Sequence, residues 1–172
     1  KVGQKMDLGS VPSSALAFMV TQSGRWVFNA RRSDDRGETW RPGPKLVINA
    51  RQLRDGTIIQ CLGPLAITDG IGTLQISTST DDWVTIDTFS ASINIPLGKH
   101  FHAHSLLELD DGSLLMALYG WMHGDQVRED NAMFPLADEA YKTRVIVAKS
   151  TDRGRSWKYL STVCYHPEMG RE

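Results

Sequence analysis

No run of about 18 apolar residues occurs, so the chain offers no helix that could span a bilayer. Charge of one sign is missing too. Nineteen Lys and Arg stand against twenty Asp and Glu, a net charge of −1. A nucleic acid or an anionic membrane would need a basic stripe, so neither is expected as a partner. Cysteine is scarce: Cys61 and Cys164 lie far apart, which excludes a disulfide scaffold and a zinc knuckle and leaves two partly buried free thiols as the expectation. The first residues, Lys1-Val2-Gly3-Gln4-Lys5-Met6, hold no apolar segment, so no signal peptide is expected, although a mature secreted chain would read the same way. Helical periodicity is nearly absent, and only residues 136–141 suit one short helical turn. At 172 residues the chain is long enough for one domain with a core and short for two, so a single domain over 1–172 is expected.

What is present is repetition. Residues 33–40 read Ser-Asp-Asp-Arg-Gly-Glu-Thr-Trp, and residues 150–157 read Ser-Thr-Asp-Arg-Gly-Arg-Ser-Trp. Both fit Ser-x-Asp-x-Gly-x-Ser/Thr-Trp, a pattern with a chance of about one in a million per start site at average usage. Between them, Ser79-Thr80-Asp81-Asp82-Trp83 keeps the Ser, the Asp and the Trp, and reads as a copy that has lost its Gly-containing middle. A second signal recurs. Asp55-Gly56 and Asp111-Gly112 each sit between apolar runs, the strongest short hairpin signature. Each repeat therefore reads as strand, Asp-Gly turn, strand, loop, strand, boxed turn, strand. The third repeat places strands at about 104–109, 113–121, 143–150 and 157–163, and the second at 50–53, 57–62, 72–79 and 84–90. In the first, 15–21 and 25–30 would be middle strands, with 45–48 closing it. The boxed aspartates Asp35, Asp81 and Asp152 suit turn formation, because a carboxylate there can accept backbone N–H groups just ahead of it.

The octapeptides resemble Asp-box repeats, and residues 106–120, Leu-Leu-Glu-Leu-Asp-Asp-Gly-Ser-Leu-Leu-Met-Ala-Leu-Tyr-Gly, are similar to the first hairpin of blades in sialidase-like proteins. The resemblance to the sialidase-type (BNR-repeat) β-propeller family covers about residues 14–172. It implies an all-β propeller of four-stranded antiparallel blades. The chain would supply blades at about 1–48, 49–98 and 99–165, half of a ring of about six, with 166–172 starting another. Open blade faces invite association, so the chain would be either a fragment of a longer propeller or half of a homodimer that completes the ring. The resemblance implies a periplasmic or secreted location.

In a blade of this kind the innermost strand starts near the central channel, and the loop between the second and third strands lies at the same end. That sorting gathers His100, His102 and His104 with Tyr119, Trp121, His123 and Asp125. Neutral imidazoles suit acid/base work, and aromatic rings stack on sugar C–H faces while their polar tips bond hydroxyls. His102, His123, Tyr119 and Asp125 are the candidate catalytic residues. Arg51, His100, His104, Trp121, Arg171 and Glu172 are the candidate substrate contacts. No metal site and no cofactor are expected, and a carbohydrate is the expected partner. Sialidases, by this resemblance, clamp a carboxylate with three arginines and use an Asp acid/base with a Tyr nucleophile activated by a Glu. This chain departs from that pattern. No Arg-Ile-Pro precedes the first box, only Arg51, Arg144 and Arg171 stand near channel ends, and Arg144 fits least well.

Three functions remain open at this level. One is a sialidase-like glycoside hydrolase working from the propeller's central pocket. Another is a polysaccharide lyase using His102 or His123 with Tyr119. The third is a non-catalytic carbohydrate-binding propeller or fragment.

Overall fold

Local turn chemistry places the strands. At each Asp-Gly pair the chain reverses tightly: Leu53 N–H donates to Thr57 O at 2.7 Å, and Leu109 N–H to Ser113 O at 2.8 Å. Gly56 and Gly112 take φ of 87° and 76°, a region costly for a residue with a Cβ. Asp55 and Asp111 accept the N–H two residues ahead, from Thr57 and Ser113.

The computed structural model describes residues 16–68, 71–98, 101–125 and 143–165, with backbone alone at 63–66, 68 and 71. Among the described residues there are twelve strands and no helix, so the all-β expectation holds. They are β1 (Phe18–Val20), β2 (Trp26–Phe28), β3 (Arg31–Ser33), β4 (Arg41–Pro42), β5 (Arg51–Gln52), β6 (Ile58–Thr68), β7 (Ile71–Ser79), β8 (Asp87–Asn94), β9 (His102–Glu108), β10 (Leu114–Gly120), β11 (Arg144–Ser150) and β12 (Ser156–Cys164). The first four form an antiparallel sheet in sequence order, and the other eight form a sheet ordered β5-β6-β7-β8-β12-β11-β10-β9. β12 runs parallel to β8, and β6 also meets β9 where Pro64 faces His102. The expected helical turn at 136–141 lies outside the described residues.

Two compact bodies divide the chain. The first comprises Lys1–Leu62 and Ile76–Phe89, the second Gly63–Gln75 and Ser90–Glu172. In the first body the alternation of β1 and β2 sends Ala17, Met19 and Val27 inward, where they pack with Leu46, Ile58 and Trp83. No strand forms at 45–48, contrary to the expectation. The backbone groups there find other partners: Leu46 N–H donates to Asn29 O, Val47 N–H to the Gln60 side chain, and Gln60 Nε2 to Lys45 O. The fourth strand of that sheet is β4, directly after the boxed turn. Asn49 adds a related device. Its side-chain amide accepts from Cys61 N–H at 3.0 Å and donates to Cys61 O at 3.1 Å. Since Arg51 faces Ile59 in the ladder, position 49 is the one that would face Cys61, and the Asn49 side chain fills the place of its own backbone.

The boxed turns share one bonding scheme. Ser33 Oγ donates to Asp35 and accepts the Gly37 N–H, while Asp35 holds the Thr39 N–H and hydroxyl. Ser150, Asp152, Gly154 and Ser156 repeat it. Residues 79–86 repeat the hydrogen bonds as well: the middle copy lacks the glycine, as expected, but keeps the full turn, and the alignment of Trp83 with the box tryptophan is corrected. Ser79 Oγ accepts the Trp83 N–H, and Asp81 holds the Thr85 N–H and hydroxyl. Trp83 therefore stands at the glycine position of the box, at φ 65°, with its ring fully buried and its indole N–H on Pro44 O. The Thr39 hydroxyl and N–H, with Ser33, draw the Asp35 carboxyl down to about 2. At Asp81 burial pushes upward, but the Thr85 and Ser79 hydrogen bonds outweigh it and bring the carboxyl to about 2. The fourth strand of the second repeat starts at 87 rather than 84, because Asp81 captures the N–H groups of Val84 and Thr85.

The second body has a two-faced sheet. Leu106, Leu114, Met116, Leu118, Ile146, Ala148 and Trp157 are buried on one side, following the period-2 pattern of β10 and β11. The other side carries Leu107, Tyr119 and Val145, all exposed.

Candidate functional site

Antiparallel order in β9–β12 brings the start of β9, the end of β10, the start of β11 and the end of β12 to one edge of the second body. The Asp-Gly and boxed turns occupy the opposite edge. His102 faces Tyr119 in the ladder, Gly120 faces Arg144, and Val145 faces Cys164.

On this edge the His102 ring stacks on Tyr119, with centroids 5.2 Å apart and planes 21° from parallel. The β9–β10 ladder shifts register between Ala117 and Leu118 and skips His104, a bulge of the kind that re-aims a side chain. The His104 ring meets Tyr119 edge-on at 6.3 Å. All three rings are exposed. Two imidazoles thus flank one phenol on a solvent-facing surface. The group can stack on an apolar sugar face and bond hydroxyls, and imidazole is the side chain most often used as a general acid or base.

Beyond β10 the chain turns through residues 121–125. That turn is clamped against the segment leaving β8: Gly98 N–H donates to Trp121 O at 2.7 Å, His123 N–H to Pro96 O at 2.8 Å, and Leu97 bridges Met122. Trp121 packs so closely on Gly98 that any side chain at 98 would collide with the indole and its backbone carbonyl. Trp121 is half-buried and His123 is exposed at the tip. Asp125 closes the turn. Its carboxylate accepts the Met122 N–H and receives Nε and a terminal nitrogen of Arg144 as a two-pronged ion pair. Burial raises the Asp125 carboxyl, but Arg144 and the Met122 N–H outweigh that and hold it below the ordinary carboxylate range. The same ion pair raises Arg144. The Arg144 guanidinium also lies over the Tyr165 ring, 3.9 Å from its centroid.

Of the residues expected at the site, His102, His104, Tyr119, Trp121, His123 and Asp125 all belong to this edge. Arg51 belongs to the first body, on β5. His100, Arg171 and Glu172 lie outside the described residues. Asp125, expected among the catalytic groups, has its carboxylate occupied by Arg144 and a backbone N–H. Tyr165 was not expected at all. No local motif marks it, because only the pairing of β11 with β12 sets it beside Arg144. Among the described residues no three His, Cys, Asp or Glu side chains gather as metal ligands would.

No family model matches the sequence, and no curated protein matches it. Solved structures do. A Hadza microbial sialidase aligns over 86% of this chain at 15% identity with a TM-score of 0.57. A protein of unknown function from Dyadobacter fermentans aligns over 85% at 13% identity with a TM-score of 0.51. This chain spans 37% and 50% of those two chains, respectively. The likeness is one of fold: the chain has a distantly sialidase-like, all-β architecture.

Proposed function

We propose that the chain is part of a sialidase-type propeller of four-stranded blades, and that the β9–β12 edge binds and hydrolyses a glycan. The observation that carries this reading is the ring cluster of His102, His104 and Tyr119, beside Trp121 and His123, on a fold similar to that of a sialidase. In this reading Trp121 and His104 contact the sugar, and His102, Tyr119 and His123 move protons. Asp125 is assigned to shaping the turn, because its oxygens are already engaged. His100, Arg171 and Glu172 are retained as proposed substrate contacts; Arg51, in the first body, is not assigned to this edge.

A panel of aryl glycosides that includes sialosides tests the proposal, with release of the aryl group as readout. Turnover of at least one member is expected, and His102→Ala or Tyr119→Phe should lower kcat by about 10²–10⁴-fold, the usual contribution of general acid/base groups. Absence of turnover across the panel would overturn it.

The stacking of His102 on Tyr119 also favours a second reading, a lyase in which the pair removes and returns a proton beside a uronate carboxylate. An unsaturated product absorbing in the ultraviolet, from an acidic polysaccharide, would replace hydrolysis with elimination.

A further inference from the structure

We infer that Arg144 is a positioning residue, which through Asp125 sets the 121–125 turn and so presents Trp121 and His123 at the edge. The ligand-facing part of this inference rests on the glycan reading above, whereas the turn-ordering part does not.

Three stretches of chain meet at Arg144, and a fourth is reached through Met122. Its backbone starts β11, opposite Gly120 at the end of β10. Its guanidinium grips Asp125, whose other bond fixes the Met122 N–H, and Met122 in turn bridges Leu97 from the β8 exit. Its flat face covers Tyr165 just past β12. The Asp125 side chain is only 6% exposed and that of Arg144 20%. Removing two charges from water costs nearly as much as their attraction returns, so such a pair is a weak source of stability. What it supplies is direction. A planar fork engages a carboxylate in one orientation, and that orientation fixes where the turn stands. Both residues flanking Met122, Trp121 and His123, are then held from two sides: by Gly98 and Pro96 through the backbone, and by Arg144 through Asp125. His102 and Tyr119 are fixed independently, by the β9–β10 ladder. Two halves of the edge should therefore respond differently to one substitution.

The test compares the intact chain with Arg144→Met, Arg144→Lys and Asp125→Asn. Nitrogen-15 NMR follows the Trp121 indole, the His123 and Gly124 amides, and the amides of His102 and Tyr119. Arg144→Met and Asp125→Asn should shift the Trp121, His123 and Gly124 signals and leave His102 and Tyr119 in place. Arg144→Lys, which keeps the charge without the fork, should fall between wild type and Arg144→Met. On the aryl glycoside that wild type turns over best, kcat/KM should drop by about 10²-fold in Arg144→Met, the scale of a 1 Å misplacement. Unchanged 121–124 signals in Arg144→Met would overturn the inference. So would shifts spread evenly over β9–β12 with a lowered melting temperature, which would mark a merely structural pair. If wild type turns over no glycoside, the glycan reading fails, and the NMR pattern still decides the role of Arg144 in the turn.

Discussion

Trp83 takes the backbone position in its boxed turn that Gly37 takes in the neighbouring one, at φ 65° against 90°. In both, the residue donates its N–H to the box serine, Ser79 or Ser33. A bulky side chain holds a left-handed conformation here because its ring is fully buried in the first body and its indole N–H is satisfied.

That arrangement reverses the usual order of two substitutions. Trp83→Ala should cost about 3–5 kcal/mol, the range for emptying a buried aromatic site. Trp83→Gly removes the same ring but also relieves a left-handed strain of about 1–2 kcal/mol. The glycine variant should therefore be the more stable of the two in urea unfolding, although glycine is ordinarily the poorer choice.

The boxed aspartates predict an acid limit. Asp35 and Asp81 are drawn to about 2 in the folded chain, below the ordinary unfolded value near 3.9. A depressed folded value means their stabilisation is complete above about pH 4 and drains away as pH falls towards 2. The melting temperature should drop across that window. In Asp81→Asn it should start lower at pH 7 and fall less steeply, so that the two curves converge at low pH.

The thiols should behave oppositely. Burial pushes Cys61 up to about 12, whereas Cys164 is exposed. A thiol reagent at pH 8 should label one cysteine rapidly in the folded protein and two in denaturant. Mass mapping should find the fast site at Cys164.

Gly98→Ala probes the clamp under the turn. An added Cβ would stand 2.7 Å from Trp121 O, against backbone that cannot swing away. The variant should lose about 1–3 kcal/mol by overpacking and shift the tryptophan emission. Wild-type stability in Gly98→Ala would mean that the 98–121 contact is looser than described.

The parts of this fold that were legible in the sequence are those governed by local turn chemistry. Asp111-Gly112 and the box at 150–157 delimit β9 to β12 to within about two residues, because the carboxylates and glycines act on their immediate neighbours. At 45–48 the sequence suggests a strand that does not form, because the backbone there is satisfied by Gln60 and Asn29, residues whose involvement depends on tertiary placement. In the middle box Ser79 and Asp81 stand where the sequence pattern puts them, but Trp83 takes the glycine position rather than the tryptophan position, and a tryptophan at a left-handed position contradicts the propensity that would identify it. At the edge, the histidines and aromatics were visible as residue types with a shared strand period. The Arg144–Asp125 pair was not, because its partners lie nineteen residues apart in sequence and meet only across the β10–β11 connection.

Asn49 carries one more implication. Its amide works as donor and acceptor at once, on the two backbone groups of Cys61. Deamidation would leave an oxygen where the nitrogen now stands, aimed at a carbonyl oxygen, and attraction would become repulsion at that rung. Slow chemical ageing at one nitrogen atom would thus unfasten the place where β5 takes over from the preceding loop.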